Sequence, residues 1–204
     1  MKIRLAVLGS TKGTDMQSII DAIEKKELNA SIELVISNKK DAFILERAKK
    51  HNLETFFINF KEFPSREESD KKIVEKLKEK KVDLVLLIGY NKILSDFFVE
   101  AFENKIVNIH PSLLPSFPGS FNYDVHKEVL ASGVKVTGCT LHLVTKNVDG
   151  GPIILQKAVP VLEKDSEEDL KNRVQKAEQE CFLEFIKKFS EGKFKIEKNK
   201  AWLE

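Results

Sequence analysis

The octapeptide Asn108-Ile109-His110-Pro111-Ser112-Leu113-Leu114-Pro115 follows the β-branched pair Ile106-Val107. Such a pair is typical of the end of a buried strand. Asn108 and His110 are two residues apart, so in an extended chain their side chains point to the same side. The two prolines prevent a helix from starting at once and predict a stiff extended loop. The octapeptide therefore predicts a strand whose carboxyl end presents an amide and an imidazole.

An amide beside an imidazole suits both oxyanion stabilisation and proton transfer, because the imidazole titrates close to neutral pH. A plain structural interpretation is also open, in which His110 ends a strand and Asn108 satisfies a turn. For a histidine considered alone, the structural interpretation is the better one. A second segment of the chain changes that balance.

The second segment is Asp149-Gly150-Gly151-Pro152, which lies between the apolar runs Leu141–Val144 and Ile153–Leu155. A carboxylate followed by two glycines between strands predicts a tight loop where backbone can approach a ligand. Alone, this tetrapeptide is an ordinary turn. Together with Asn108 and His110, Asp149 completes a set of amide, base and carboxylate, and we predict these three residues to be catalytic.

The start of the chain predicts a strand, a glycine-containing loop and a helix. The strand is Ile3–Leu8, the loop is Gly9–Asp15, and the helix places Met16, Ile19, Ile20 and Ile23 on one face. Backbone N–H groups at such a helix start can bind an anion. The loop has neither the dinucleotide nor the Walker A spacing. A simple turn with Thr14 or Asp15 as the helix N-cap remains an alternative.

Two serines mark helix starts in the sequence. Ser65, with Glu68 three residues later, predicts a capping box, and Ser166 predicts the N-cap of a long helix.

Strands and helices alternate through the first half of the chain, which predicts an α/β fold. The near-continuous apolar run Val82–Ile88 is typical of a strand buried on both faces of a parallel sheet. Two later strands, Val134–Val144 with a bulge expected at Gly138 and Ile153–Val161, predict an antiparallel extension. We expect a Rossmann-like open, mostly parallel sheet with helices on both faces, forming one domain over residues 1–204.

Composition excludes several functional classes. The net charge is only +2, from 34 basic and 32 acidic residues, and gives no argument for nucleic acid or a membrane surface. No stretch approaches the roughly 20 apolar residues of a membrane span. The apolar run at the start of the chain is too short for the apolar region of a signal peptide. We expect Cys139 and Cys181 to be buried and to act as small hydrophobic residues rather than as a redox pair. We expect a cytoplasmic protein that uses no metal.

The two segments strongly resemble the formyltetrahydrofolate-dependent formyltransferase family. The resemblance rests on the octapeptide and on Asp-Gly-Gly-Pro-Ile-Ile-Leu-Gln at residues 149–156, and it runs from Leu5 to Leu203. The flanking segments resemble the branch of the family that formylates 5′-phosphoribosylglycinamide in de novo purine biosynthesis. These segments are Ser37–Ala42, Ser65–Glu67, Lys92–Ser95 and Ala201–Leu203.

The resemblance implies 10-formyltetrahydrofolate as the formyl donor and the amine of 5′-phosphoribosylglycinamide as the acceptor. In this scheme the amine attacks the formyl carbon directly. Asn108 would hydrogen-bond the developing oxyanion, and His110 would assist that charge and the proton movement. Asp149 would orient His110 and an ordered water.

The resemblance also implies binding residues for each substrate. Gly13, Thr14 and Asp15 match the loop that holds the substrate phosphate, and Glu178 matches a glutamate that contacts the glycinamide substrate. The expected folate-binding residues are Arg66, Tyr90, Asn91, Lys92, Ile93 and Leu94. The chain departs from the family in the first loop, in a Ser120–Val125 loop that looks longer, and where Tyr-Asn-Lys replaces Phe-Met-Arg.

Other interpretations stay open at this point. A methionyl-tRNA formyltransferase or a formyltetrahydrofolate hydrolase would need an additional domain, and a catalytically silent module could bind phosphorylated metabolites. We expect His142 to be structural, while a surface position and a substrate contact are equally compatible with His126. The expected partners are small-molecule substrates, and either a monomer or a homodimer is compatible with the sequence.

Overall fold

The computed structural model of the chain describes residues 2–119 and 125–204. The strands it describes are β1 Ile3–Leu8, β2 Ala30–Ser37, β3 Thr55–Phe57, β4 Leu84–Leu87, β5 Ile106–His110, β6 Val136–Leu143, β7 Ile153–Pro160, β8 Phe194–Glu197 and β9 Lys200–Leu203. The helices are α1 Thr14–Glu24, α2 Phe43–Lys50, α3 Arg66–Glu79, α4 Asp96–Ala101, α5 Val125–Ser132 and α6 Glu167–Ser190, with a short 3-10 helix at Phe60–Glu62.

Seven strands form one sheet in the order β3-β2-β1-β4-β5-β6-β7. β1 to β5 pair in parallel, and β6 and β7 pair antiparallel. α1, α2, α5 and α6 pack with one core layer, and α3 and α4 pack with the other. The predicted open, mostly parallel α/β sheet with helices on both faces and an antiparallel extension is confirmed.

The direction of strand addition reverses between β1 and β4. From β1 the chain builds outward through β2 and β3, and it then returns to place β4 and β5 on the other side. In open α/β sheets such a reversal leaves a crevice outside the carboxyl ends of the two central strands. The loops that follow β1 and β4 therefore face each other across the crevice.

Helix starts follow local side-chain chemistry at two of the predicted positions. Ser65 accepts a hydrogen bond from the Glu68 N–H at the start of α3. Ser166 and Asp169 form a reciprocal capping box at the start of α6. α1 differs from expectation, because Gly13 in a left-handed conformation precedes it and neither Thr14 nor Asp15 is the N-cap.

The irregularity in the antiparallel strand pair β6–β7 lies at a different position from the bulge expected at Gly138. The register between β6 and β7 shifts between Leu141 and His142, and not at Gly138. Gly138 instead lets two strands approach closely, since a Cβ there would lie 2.0 Å from the Lys157 carbonyl oxygen. The prediction of a bulge at Gly138 is therefore wrong, and the glycine there instead allows close packing of the β6 and β7 backbones.

Several elements were not predicted from the sequence, namely α4, the 3-10 helix and the β8–β9 hairpin. The predicted longer loop at residues 120–125 lies outside the described residues, apart from Val125. Both cysteines are buried, with 3.8 Å between their sulfur atoms. Within the described ranges, no helix combines the length and apolar character needed to cross a membrane.

Candidate active site

A cavity of about 330 Å³ opens at the carboxyl ends of β4 and β5. Its volume lies at the lower end of the range typical of small-molecule sites. The catalytic candidates Asn108, His110 and Asp149 all line it. Five of the predicted folate-binding residues line it as well: Tyr90, Asn91, Lys92, Ile93 and Leu94. The structure thus brings together two sets of residues that the sequence separates by up to 59 positions.

His110 ends β5 and is buried against the loop that follows it. Its Nε2–H donates to the Phe117 carbonyl oxygen at 2.7 Å, which leaves Nδ1 as the acceptor nitrogen of the neutral ring. Nδ1 lies 3.4 Å from Asp149 Oδ2. Burial lowers the pKa of His110, and the nearby His142 adds to the effect, against the opposing influence of Asp149 and of the Phe117 carbonyl. A neutral imidazole at neutral pH can accept a proton.

The loop after His110 does not extend away from the sheet as the two prolines predict. It turns back, because the Leu114 N–H donates to Thr140 Oγ1 and the Gln156 amide donates to the Leu114 carbonyl. The return places the Phe117 carbonyl on His110 and the Gly119 N–H on Asp149. The loop is therefore part of the site and holds two of its groups.

Asp149 lies at the tip of the loop between β6 and β7 with φ of 52°, a conformation that Asp and Asn adopt more readily than other side chains. Its Oδ2 accepts from the Gly119 N–H at 2.9 Å, and its Oδ1 lies 3.5 Å from His142 Nε2. Gly151 makes this turn possible, since a Cβ there would lie 1.9 Å from the Leu143 carbonyl oxygen. The glycine requirement is steric at Gly151 rather than at Gly150.

The Asp149 carboxylate is ionised despite being only 9% exposed. Burial by itself would raise its pKa. The interactions with His142, the Gly119 N–H and the nearby His110 outweigh burial and leave the pKa of Asp149 below its usual value. A fixed negative charge therefore stands beside two imidazole rings.

His142 belongs to this cluster, which corrects the structural role expected from the sequence. It pairs across the strands with Asn108, and its Nε2 lies 3.2 Å from the Asn108 amide nitrogen. The ring Nδ1–H donates to the Leu143 carbonyl at 2.9 Å, so Nε2 accepts from Asn108. This contact fixes which end of the Asn108 amide is the donor and leaves its second N–H available to the cavity.

The wall that follows β4 combines buried and exposed side chains. Leu94 is buried, whereas Ile93 is 45% exposed. Burial raises the pKa of the Tyr90 hydroxyl, and no partner within the described residues bonds its oxygen. The Lys92 ammonium lies over the Phe60 ring, 5.8 Å from its centroid.

Arg66 is the predicted folate-binding residue that does not line the cavity. It is the first residue of α3, and its side chain is exposed. Its charge acts on the buried Asp70, which accepts a hydrogen bond from the Ser95 N–H at 2.6 Å. Ser95 in turn directly follows the cavity wall, so Arg66 lies near the wall's far end without reaching the cavity.

The loop after β1 packs against α2 and is hydrogen-bonded to it. Gly13 has φ of 66°, and a Cβ there would lie 2.4 Å from Ile44 Cγ1. Arg47 donates to the Lys12 carbonyl at 2.7 Å, and the Ile44 N–H donates to the Thr11 carbonyl at 3.1 Å. No side chain caps α1, so its first N–H groups are free of a side-chain acceptor. This is the arrangement of an anion-binding helix start.

Asp15 and Glu178 form a buried acidic pair between α1 and α6. They are 5% and 8% exposed, and Gln175 of α6 donates to Thr14 beside them. Burial raises the pKa of Asp15 to about 7, with a small opposing effect from Gln179. Burial and the neighbouring Asp15 raise the pKa of Glu178 well above its usual value. The pair therefore retains protons at a pH where exposed carboxyls have lost theirs.

The predicted site residues thus lie in two neighbouring regions, the cavity and the contact between the start of α1 and α6. Gly13, Thr14, Asp15 and Glu178 do not line the cavity, but Thr11 of the same loop does. His126 is buried in α5 and does not line it either. Across residues 2–119 and 125–204, no group of three or more His, Cys, Asp or Glu side chains is arranged to hold a metal ion. The expectation that the protein uses no metal stays a prediction.

Comparisons with known proteins bear on the family and the fold of the chain. A family model described as formyl transferase matches residues 3–186, well over half of the chain. The phosphoribosylglycinamide formyltransferase of Escherichia coli (strain K12) is 39% identical over 202 residues, which cover 99% of this chain and 94% of the relative.

Solved structures give the same result. Glycinamide ribonucleotide transformylase 1 from Symbiobacterium toebii superposes with a TM-score of 0.93 at 42% identity, covering 98% of this chain and 93% of that chain. Phosphoribosylglycinamide formyltransferase from Coxiella burnetii, solved in complex with CHES, also gives 0.93, at 34% identity and with coverage of 100% and 94%. The similarity therefore extends over essentially the whole length of all three proteins.

Proposed function

The chain belongs to the formyl transferase family and is a transferase, and we propose that it moves a formyl group from 10-formyltetrahydrofolate to the amine of 5′-phosphoribosylglycinamide. The observation that carries the proposal is the cluster of Asn108, His110 and Asp149 at one end of the cavity. We assign the reaction to purine biosynthesis, as the names of the relatives indicate.

Asn108 acts as the donor to the oxyanion that forms when the amine attacks the formyl carbon. One of its two amide hydrogens is engaged by His142, and the other is available to the cavity. A donor fixed before the reaction stabilises developing negative charge more effectively than solvent, which must reorient. His142 is in this scheme a positioning residue.

His110 and Asp149 move the proton. The attacking amine must lose a proton, and the folate nitrogen must gain one when its bond to the formyl carbon breaks. The neutral Nδ1 of His110 accepts a proton, and Asp149 Oδ2 at 3.4 Å stabilises the charged ring that results. An ordered water can bond both groups from the side of the cavity, because 3.4 Å is too short for a water to lie between them.

The first loop and the acidic pair bind the acceptor substrate. The uncapped start of α1 beyond Gly13 suits the phosphate, with Thr14 and Asp15 in the same turn. Glu178 lies on the opposite helix and contacts the glycinamide substrate. Thr11 connects this place to the cavity, because it follows β1 and also lines the cavity wall.

The cavity wall from Tyr90 to Leu94 binds the folate, which supplies the formyl group when bound. The wall offers apolar side chains and exposed backbone at the carboxyl end of β4, where ligands bind in this class of sheet. Arg66, at the start of α3, does not line the cavity, so we propose that it contacts only a part of the folate outside it. No metal takes part in the proposed reaction.

Residues 1–204 act as one domain, as a monomer or homodimer, on small molecules in the cytoplasm, without nucleic acid or membrane. Two alternatives make different predictions. A hydrolase would release formate without an acceptor, and a silent binding module would bind phosphorylated ligands without turnover. A silent module would leave the pairing of Asn108 with His142 unexplained, whereas a hydrolase would use the same donor for its oxyanion.

An absorbance assay of tetrahydrofolate formation, run with and without 5′-phosphoribosylglycinamide, tests the proposal. We expect turnover that requires the acceptor and saturates with it. Turnover at the same rate without the acceptor would instead identify a hydrolase. Absence of turnover, with retained binding of the phosphorylated ligand, would identify a silent module.

A further inference from the structure

A closed ring of three hydrogen bonds lies across the crevice between β1 and β4. The Ser10 hydroxyl donates to Asn38 Oδ1 at 2.6 Å, and Asn38 Nδ2 donates to Asn91 Oδ1 at 3.0 Å. The Asn91 backbone N–H closes the ring by donating to Ser10 Oγ at 3.1 Å. The three residues follow β1, β2 and β4, so the ring joins three separate loops.

The ring fixes the orientation of the Asn91 carboxamide. Its oxygen accepts from Asn38, so its nitrogen, with two N–H groups, points away from the ring. Within the described part of the chain, Asn91 Nδ2 has no hydrogen-bond partner, and Asn91 lines the cavity. An exposed asparagine would ordinarily rotate freely, but this one is held at its oxygen and at its backbone.

The backbone on both sides of the ring is held as well. The Ser10 N–H donates to the Gly89 carbonyl at 3.1 Å. Gly89 has φ of 58°, and a Cβ there would lie 2.3 Å from Thr11 Oγ1. The loop after β1 and the wall after β4 are therefore in direct contact, and the ring sets their relative position.

We propose that Asn91 is a specificity-determining residue for the folate, whose side-chain N–H, oriented by Ser10 and Asn38, donates to a carbonyl oxygen of the bound folate. The inference rests on the proposed function, because it assumes that the folate occupies this cavity. It goes further in assigning the contact to a side chain, where the resemblance implies only wall residues. A donor already oriented loses little conformational freedom when the ligand binds.

Two variants separate the donor from the ring. Asn91→Met removes the amide and keeps an unbranched side chain. Asn91→Asp keeps the oxygen that accepts from Asn38 but has no N–H, so its unfolding midpoint reports whether the ring persists without the donor. Asn59→Ala is the control, because the Asn59 side-chain oxygen likewise accepts one hydrogen bond, from the Lys61 N–H, but Asn59 does not line the cavity.

Isothermal titration with tetrahydrofolate, without acceptor, measures the contact directly. We expect the Kd to rise about tenfold in Asn91→Met, as for loss of one hydrogen bond, and at least as much in Asn91→Asp. Asn59→Ala should bind like the wild type. In steady-state kinetics, the KM for the folate should rise in Asn91→Met while that for the glycinamide stays within twofold.

Unchanged tetrahydrofolate binding in Asn91→Met would overturn the assignment, as would equal weakening in Asn59→Ala. Equal rises in both KM values would also overturn it, because they would indicate a general structural role. The binding measurement needs no acceptor, so it remains decisive even if the acceptor-dependent assay fails and the proposed reaction is wrong.

Discussion

Asp149 is the residue on which the geometry of the site converges. Its two oxygens face His110 Nδ1 and His142 Nε2 at 3.4 and 3.5 Å, and the Gly119 N–H bonds one of them. A turn residue needs none of these partners. A carboxylate that holds two imidazoles and moves a proton needs its charge, so substitution that removes only the charge separates the two roles.

We expect Asp149→Asn to lower kcat by at least about 10², or about 2.7 kcal/mol of transition-state stabilisation. Asn adopts a φ of 52° as readily as Asp and can still accept from Gly119, so the unfolding midpoint should change little. Asp96→Asn is the control, because Asp96 is 70% exposed and, among residues 2–119 and 125–204, forms an ion pair only with Lys146. Near-normal kcat with a lowered midpoint would show that Asp149 is a turn residue.

The sequence predicted Asn108, His110 and Asp149 because their motifs are local and specific. It assigned His142 a structural role because alternation along a strand shows only that the ring faces away from Leu141 and Leu143. The cross-strand partner, Asn108, is fixed by an antiparallel register that spans 34 positions. A contact of that kind depends on the register, which a local pattern does not contain.

At the scale of elements, the burial of Asp15 between α1 and α6 makes the stability of the fold depend on pH. Asp15 has a pKa of about 7 in the folded protein and about 3.9 when unfolded. A raised carboxyl pKa means that the folded state binds the proton more tightly. The contribution of Asp15 protonation to the stability of the folded state is complete below about pH 3.9 and is lost as pH rises through about 7.

We therefore expect Asp15→Asn to raise the unfolding midpoint at pH 8 by several degrees and to have a much smaller effect near pH 4. Thermal unfolding of both proteins at the two pH values measures this. Asp165→Asn is a control of opposite sign, because Arg173 lowers the pKa of Asp165 to about 2. That variant should be destabilised at pH 7 and approach the wild type as pH falls. A pH-independent gain in Asp15→Asn would contradict the buried-charge account.

The loop between β1 and α1 gives a second prediction at this scale. Gly13 and Gly133 have similar φ values, 66° and 72°, but a Cβ would meet Ile44 at the first and nothing within 4 Å at the second. Alanine at either position costs about 1 kcal/mol of backbone strain. Only Gly13→Ala should also shift the loop that we propose binds the phosphate, raising the KM for the glycinamide several-fold more than the KM for the folate. Equal effects on both KM values would reject the assignment.

Element boundaries were predicted well where capping residues mark them and less well elsewhere. Ser65 and Ser166 each begin a helix as expected, since their side chains bond the third helical N–H. The alternative in which Thr14 or Asp15 is the N-cap of α1 was wrong, and the sequence gives no sign that Asp15 turns inward against α6. The β8–β9 hairpin was missed because its two four-residue strands are too short for a periodic signal.

For the whole molecule, the sheet order places the reactive groups. The reversal between β1 and β4 opens the crevice, β5 delivers Asn108 and His110 beside it, and the antiparallel β6 and β7 return Asp149 to the same edge. The sequence predicted the class of sheet and its extension. It did not contain the distance between the first loop and the cavity, which depends on the contacts of that loop with α2, with α6 and with the wall after β4.

We propose that this assembly of side chains transfers a formyl group to an amine. Isotopically labelled 10-formyltetrahydrofolate, incubated with 5′-phosphoribosylglycinamide and followed by NMR, reports where the labelled carbon goes. We predict that the label appears as the formamide of the glycinamide with wild-type protein, and at a rate at least about 10² lower with Asp149→Asn. Label released as formate, or an Asp149→Asn variant as fast as the wild type, would contradict the account.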